Sequence, residues 1–121
     1  MEVKFLKNKK TNEVTLSLFG NPSDEEVELV ANTTDAAKEK HVPVFTIEGN
    51  KVHVQVGSVL HPRTEAHHIV FIALVTDQKA ERKYLNPTGE PKADFVLADG
   101  EKVEKIYEYC NLHGLWVVEA D

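Results

Sequence analysis

Short apolar runs separated by Gly, Asn and Pro predict β-strands over most of the chain. Val52, Val54 and Val56 alternate with polar residues, which is the pattern of a strand with one buried face. Residues 69–75 are apolar throughout, as in a central strand that is buried on both faces. From residue 39 onward the pattern predicts seven strands, at 42–47, 52–56, 69–75, 83–85, 95–98, 103–109 and 115–118. Seven short strands at this spacing predict an all-β fold, an immunoglobulin-like seven-stranded β-sandwich.

The first 38 residues predict a small, hairpin-rich N-terminal appendage. Strands are predicted at 3–6, 14–18 and 27–30, with a polar turn between the first two. The side chains of Thr33, Thr34 and Asp35 can cap one helical turn through Lys38, and Pro43 then prevents the helix from continuing. We therefore divide the chain into an N-terminal segment, 1–38, and a main domain, 39–121.

The amino-acid composition excludes some classes of binding partner for the protein. The chain has 121 residues, of which 41% are hydrophobic, enough for one globular domain with an appendage. A net charge of −6 argues against nucleic acid as a partner. No apolar run approaches the roughly 18 residues of a membrane span, and the N-terminus has no signal-peptide core. We therefore expect a cytoplasmic protein that does not associate with membranes.

The candidate chemistry lies in one cysteine and several histidines. Cys110 and His113 form a C-x-x-H pair, which places two ligand atoms on one tight loop. His41 and His61 both stand close before a proline, in segments that the proline stiffens. These residue types together predict one site that combines a thiolate with several imidazoles.

Strand alternation bears on the remaining histidines. His53 lies between two inward-facing valines, so we expect it on the solvent face of its strand. His67 and His68 are neighbours at the start of a strand and must point to opposite faces, so at most one reaches a given metal. Periodicity alone does not decide between them.

A thiolate combined with imidazoles suits iron, copper or zinc. Four neutral imidazoles and one thiolate would give a divalent metal site a net charge of +1, which attracts small anions. An electron-transfer cupredoxin is one alternative, but its weak axial methionine has no counterpart after His113, because Met1 is the only methionine. A structural zinc module needs only four ligands. An immunoglobulin-like adhesion module would leave the Cys and His spacing unexplained.

Three separated motifs carry a family resemblance: EKHVPV, GSVLHP followed by His67 six residues after His61, and CNLHGLW. In this order they closely resemble superoxide reductase, the desulfoferrodoxin and neelaredoxin family, over about residues 35–118. The resemblance implies one-electron reduction of superoxide to hydrogen peroxide, with electrons from an external donor such as a rubredoxin-like protein. It also implies one iron ion per chain, cycling between Fe2+ and Fe3+. The implied equatorial ligands are His41, His61, His67 and His113, and the implied axial ligand is Cys110.

The resemblance also assigns the pair before His41. Lys40 would add positive charge near the open sixth position, and Glu39 would close that position as a carboxylate ligand in the resting ferric state. Two residues depart from the family: Arg63 stands where methionine is usual and is expected to add to the local positive field, and His68 stands where an aromatic residue is common.

The N-terminal segment resembles a desulforedoxin-like domain without its four cysteines, so a second iron is not expected. Family members with this segment are commonly dimers, and we expect a homodimer.

Overall fold

The computed structural model of the chain describes residues 2–59 and 61–120. Met1, Leu60 of the GSVLHP motif and Asp121 lie outside the described residues. Within them the chain forms ten strands and one helical turn: β1 Lys4–Asn8, β2 Val14–Ser17, β3 Glu26–Leu29, α1 Lys38–His41, β4 Pro43–Glu48, β5 Lys51–Val56, β6 Ile69–Thr76, β7 Ala80–Tyr84, β8 Lys92–Val96, β9 Val103–Cys110 and β10 Gly114–Glu119.

The main domain is a sandwich of two antiparallel sheets. One sheet has the order β10-β9-β6-β7, and the other has the order β4-β5-β8. Val52, Val54 and Val56 point inward from β5 and pack with Ile72 and Leu74 of β6 in one buried cluster. Burying these apolar faces against each other is the main force that holds the two sheets together. The predicted all-β, seven-stranded sandwich is confirmed.

Strand β6 is buried on both faces, as its continuous apolar run predicts. Alternate residues point away from the sandwich core, and Phe71 among them packs against the N-terminal sheet, which has the order β2-β1-β3. The ring centroid of Phe5 lies 5.7 Å from that of Phe71 and 4.9 Å from that of Tyr107. The hairpin-rich appendage therefore covers the outer face of the four-stranded sheet.

Asn32 joins the N-terminal segment to the edge of β10. Its backbone N–H donates to Leu115 O (3.0 Å), and its side chain both donates to Val117 O and accepts from Val117 N. Asn32 has a φ of +62°, a left-handed conformation that asparagine tolerates better than most residues. This contact fixes the chain shortly before it enters α1.

The helical turn was predicted to end at Lys38, and this position was wrong. The helical turn is α1, Lys38–His41, and its N-cap residue Ala37 makes no side-chain capping bond. Thr33 Oγ1 donates instead to Val30 O (2.7 Å), so this hydroxyl stabilises the preceding turn. Pro43 begins β4, as its restricted backbone favours.

Two predicted strands were displaced. β7 begins at Ala80, before the predicted residue 83, and β8 is Lys92–Val96, where 95–98 was predicted. β8 exposes charged residues, and Phe95 is its one buried side chain, so its apolar pattern is weak. Among the described residues, no helix is long and apolar enough to span a membrane.

Candidate metal centre

Five side chains from three segments of the chain converge on one point. His41 ends α1, His61 and His67 lie in the connection between β5 and β6, Cys110 ends β9, and His113 lies in the turn before β10. The ligand atoms of His41, His61, His67 and Cys110 all lie within 4.8 Å of one another. His113 joins them, with its Nδ1 3.1 Å from His41 Nε2.

A close backbone approach locks the first two of these segments together. Gly57 has a φ of +83°, and a Cβ there would lie 2.6 Å from Glu39 O and 2.4 Å from Val59 O. Only glycine fits such a position. The contact lets Val59 N donate to Glu39 O (2.9 Å), so the connection that leads to His61 is held against the turn that carries His41.

The C-x-x-H turn is a tight hairpin connection. Cys110 pairs with Gly114 across it, and Gly114 has a φ of +77°. The backbone N–H groups of Leu112 and His113 donate to the sulfur of Cys110. Asn111 ties this turn to the third segment, because its Nδ2 donates to Ala66 O and its Oδ1 accepts from the N–H of His68, each at 2.9 Å.

Trp116 supports two of the histidines at once. Its ring stacks on His41 with centroids 5.0 Å apart and planes 28° apart, and its Nε1 donates to His113 O (3.0 Å). The side chain is 1% exposed, so both contacts are shielded from solvent.

The hydrogen bonds of two histidines leave their inner nitrogens without protons. His41 Nδ1 donates to Ala37 O and His61 Nδ1 donates to Pro62 O, each at 2.7 Å. In a neutral ring, the other nitrogen then carries only a lone pair. These two Nε2 atoms face each other at 3.3 Å, where two lone pairs repel unless a cation lies between them. His67 Nε2 is also buried and has no partner among the described residues. The donor set therefore fits a bound metal ion.

The four imidazole rings form a closed circuit. Ring centroids are 4.7 Å apart for His41 and His61, 4.6 Å for His61 and His67, 5.0 Å for His67 and His113, and 4.9 Å for His113 and His41. Neighbouring planes are 80° to 85° apart in each pair. His41 and His67 lie opposite each other at 6.3 Å. A square of this kind suits four nitrogen ligands around one centre, and Cys110 Sγ lies 3.5 Å from His61 Nε2.

Burial sets the protonation of the cluster. It lowers the pKa of His41 and His67, and it lowers the pKa of His61 to about 4. These rings are therefore neutral at pH 7, as metal ligands must be. Burial also raises the pKa of the Cys110 thiol, against the effect of the N–H groups that donate to the sulfur. A bound cation would stabilise the thiolate and release its proton.

The pair before His41 is exposed beside the cluster. Lys40 contributes, after burial and neighbouring histidines, to lowering the pKa of both His41 and His67, whereas the carboxylate of Glu39 raises the pKa of His41. Among the described residues, neither Lys40 nor Glu39 forms an ion pair. The Lys40 ammonium is therefore available to an anion, and the Glu39 carboxylate is available to a metal.

Other sequence candidates lie elsewhere. His68 Nδ1 bonds with the carbonyls of Thr64 and Glu65, each at 3.0 Å, and is not part of the cluster. His53 lies on the outer face of β5, with Nδ1 2.8 Å from Asp94 Oδ1.

Arg63 adds to the local positive field, because its charge contributes, after burial and the neighbouring histidines, to lowering the pKa of His61. Its guanidinium is bound to three backbone carbonyls, one of which belongs to Ile69, the strand partner of Cys110. The charge is therefore fixed near the sulfur.

Sequence reasoning missed the supporting roles of Asn111 and Trp116, and it missed Glu108 altogether. Glu108 is 0% exposed, and neither carboxyl oxygen has a partner among the described residues. Burial raises its pKa well above the usual value and so favours the neutral carboxylic acid over the carboxylate. Alternation along β9 places Glu108 on the same face as Ile106 and Cys110, a signal that was legible in the sequence.

A β-sandwich that gathers four imidazoles and a thiolate defines a class of proteins with a mononuclear, mixed nitrogen and sulfur metal site. Comparison with known families agrees, because the Desulfoferrodoxin family model matches residues 33–119. The chain belongs to the desulfoferrodoxin family, as its three motifs predict.

Individual relatives extend this result. A desulfoferrodoxin homolog from Archaeoglobus fulgidus is 51% identical over 84 residues, which are 69% of this chain and 66% of that protein. The desulfoferrodoxin of Clostridium acetobutylicum is 44% identical over 115 residues, and the match covers 90% of each chain. The crystal structure of the superoxide reductase from Treponema pallidum is similar with a TM-score of 0.88 and 34% identity, covering 98% of this chain and 100% of that one.

Proposed function

We propose that the protein is a superoxide reductase, which consumes one superoxide, one electron and two protons and forms one hydrogen peroxide. The observation that carries this proposal is the convergence of four imidazoles and one thiolate, with facing Nε2 atoms 3.3 Å apart that cannot share a hydrogen. Family membership supports the same reaction, because the similar structure from Treponema pallidum is a superoxide reductase.

The metal is one iron ion per chain, held by His41, His61, His67, His113 and Cys110. Five donors exceed the four of a structural zinc site, and the ring circuit differs from the two histidines, one cysteine and weak axial ligand of blue copper. Iron in this site would supply the electron for superoxide reduction by cycling between Fe2+ and Fe3+. The N-terminal segment contains no Cys or His, so it offers no second iron site.

The residues around the ligands have separate roles. Cys110 would donate electron density to a bound iron, in the way a thiolate does at a haem iron. Lys40 attracts the superoxide anion to the site, which matters because the protein carries a net charge of −6. Glu39 would supply a carboxylate ligand to the oxidised iron. Burial favours the neutral form of Glu108, which would keep a further negative charge away from the sulfur.

The remaining assignments concern the whole protein. Residues 1–38 form a desulforedoxin-like segment that carries no metal, and residues 39–121 form the iron-binding domain. A rubredoxin-like protein in the cytoplasm supplies the electrons, and the chain acts as a homodimer in detoxification of superoxide. The three-stranded N-terminal sheet and the family match to residues 33–119 support the division of the chain.

Metal analysis of anaerobically prepared protein, combined with a visible spectrum, tests this proposal. We expect close to one iron per chain and, after oxidation, a thiolate-to-iron charge-transfer band. Two irons per chain would contradict the proposed stoichiometry. Copper or zinc as the native metal, without that band, would instead favour the cupredoxin or the structural zinc alternative.

A further inference from the structure

Arg63 holds a positive charge that no carboxylate neutralises within residues 2–59 and 61–120. Its guanidinium donates from Nε to Gly89 O (2.5 Å), from Nη1 to Ile69 O (2.8 Å) and from Nη2 to Asn86 O. All three acceptors are neutral backbone carbonyls. An arginine stays protonated at any physiological pH, so a full unit charge is fixed at this place by three hydrogen bonds.

This charge lies on the sulfur side of the cluster. Ile69, which accepts from Nη1, is fully buried and is the strand partner of Cys110. Burial lowers the pKa of Arg63, and the thiolate of Cys110 opposes that change. The charge of Arg63 also contributes, after burial and the neighbouring histidines, to lowering the pKa of His61. Arg63 in turn favours the thiolate, against the burial that raises the pKa of Cys110.

We propose that Arg63 is a positioning residue that acts through Cys110: its fixed charge draws negative charge toward itself on the thiolate and thereby raises the reduction potential of the iron. This inference rests on the iron site proposed above. The sign follows from electrostatics. Fe3+ carries one more positive charge than Fe2+, so a nearby cation destabilises the oxidised state more. Groups around a metal ligand tune the metal in this way. Arg63 therefore makes the oxidised iron easier to reduce, and it decreases the electron density that the sulfur of Cys110 donates to the iron.

Three Arg63 variants and one control variant separate the charge from the hydrogen bonds. Arg63→Gln keeps N–H donors but removes the charge, whereas Arg63→Lys keeps the charge with a different set of donors. Arg63→Met, an unbranched side chain without donors, is a second neutral variant in case the amide does not fit. Lys51→Gln removes one exposed positive charge at the far end of β5 and is the control for net charge.

The readouts are the reduction potential of the iron and the energy of its charge-transfer band. At a fixed donor potential, we expect the neutral Arg63 variants to lower the Fe2+ to Fe3+ ratio by about tenfold, equivalent to about 59 mV for one electron. Their band should move to lower energy, because the sulfur electrons are less stabilised. Arg63→Lys should retain most of the wild-type potential, and Lys51→Gln should match the wild type.

Two outcomes would overturn the inference. Neutral variants with wild-type potential and band energy would mean that the charge does not reach the sulfur. A lysine variant shifted as far as the neutral ones would mean that Arg63 acts only by bonding the 86–89 turn. Wild-type protein that binds no iron or lacks the band would refute the proposed function itself, so the two failures are distinguishable.

Discussion

Replacing Lys40 with alanine tests how an acidic protein captures an anion. Lys40 is exposed on α1, and its charge contributes to lowering the pKa of both His41 and His67. Removing it takes away a local positive charge beside the open face while the rest of the protein still repels superoxide. We therefore expect the bimolecular reaction between the ferrous enzyme and superoxide to slow.

The magnitude follows from Coulomb's law. Unit charges about 6 Å apart interact by about 0.7 kcal/mol in bulk water and about 2.8 kcal/mol at an effective dielectric near 20. An exposed lysine beside a partly buried site lies between these limits, at about 1.4 kcal/mol. That free energy corresponds to about a tenfold decrease in the rate constant for Lys40→Ala. Because salt screens such attraction, the remaining rate should also depend less steeply on ionic strength.

Pulse radiolysis across a salt series measures both effects. Lys38→Ala is the matched control, because Lys38 is an exposed lysine of the same helical turn. It changes net charge equally and should retain most of the wild-type rate. Glu39→Ala should leave the first step nearly unchanged, since its proposed role begins after oxidation. A Lys40→Ala rate equal to the wild type at low salt would refute the reasoning and leave Lys40 as an ordinary surface residue.

Three further predictions concern the cluster. Cys110→Ser should abolish the thiolate-to-iron band and superoxide reduction even where iron remains bound; an unchanged spectrum with retained activity would show that Cys110 is not a ligand. His67→Ala should weaken iron binding, measured by metal content after dialysis, whereas His68→Ala should not; the reverse result would place the ligand one residue away. His61 has a pKa lowered from 6.5 to about 4, so the unfolded chain binds the extra proton in this window and metal-free protein should lose stability as pH falls from 6.5 to 4. The loss attributable to His61 is about 3 kcal/mol, measured by urea unfolding at each pH, and a curve that does not change in His61→Gln would contradict it.

The strands of the main domain could be predicted because their buried faces require apolar residues at regular positions in the sequence. Residues 69–75 were predicted to form a strand that is buried on both faces. In the structure, β6 packs against the sandwich core on one side and against the N-terminal sheet on the other. β8 was displaced in the prediction because Phe95 is its one buried residue, so alternation gave little signal. The helical turn was misplaced because the threonines before it bond within the preceding turn instead of capping.

Sequence motifs predicted the metal ligands. The residues that hold these ligands in place could be identified only from the structure. Strand alternation separated His67 from His68 without choosing between them, and the backbone geometry places His67 in the cluster. No local pattern indicates that Trp116 would stack on His41 or that Asn111 would hold the Ala66 carbonyl. Arg63 was expected to add to the local positive field, but its hydrogen bonds to the carbonyls of Gly89 and Ile69 could not be predicted from the sequence.

Measuring the products of the reaction is the most direct test of whether the protein reduces superoxide to hydrogen peroxide. Iron-loaded protein is fully reduced without oxygen and mixed with a known, substoichiometric amount of superoxide. We predict that one hydrogen peroxide is formed and one iron is oxidised for each superoxide consumed, with no dioxygen released. Release of dioxygen at half the amount of superoxide consumed would indicate dismutation. Persistence of superoxide with iron still ferrous would show that the site does not carry out the reaction. Either result would refute superoxide reductase activity.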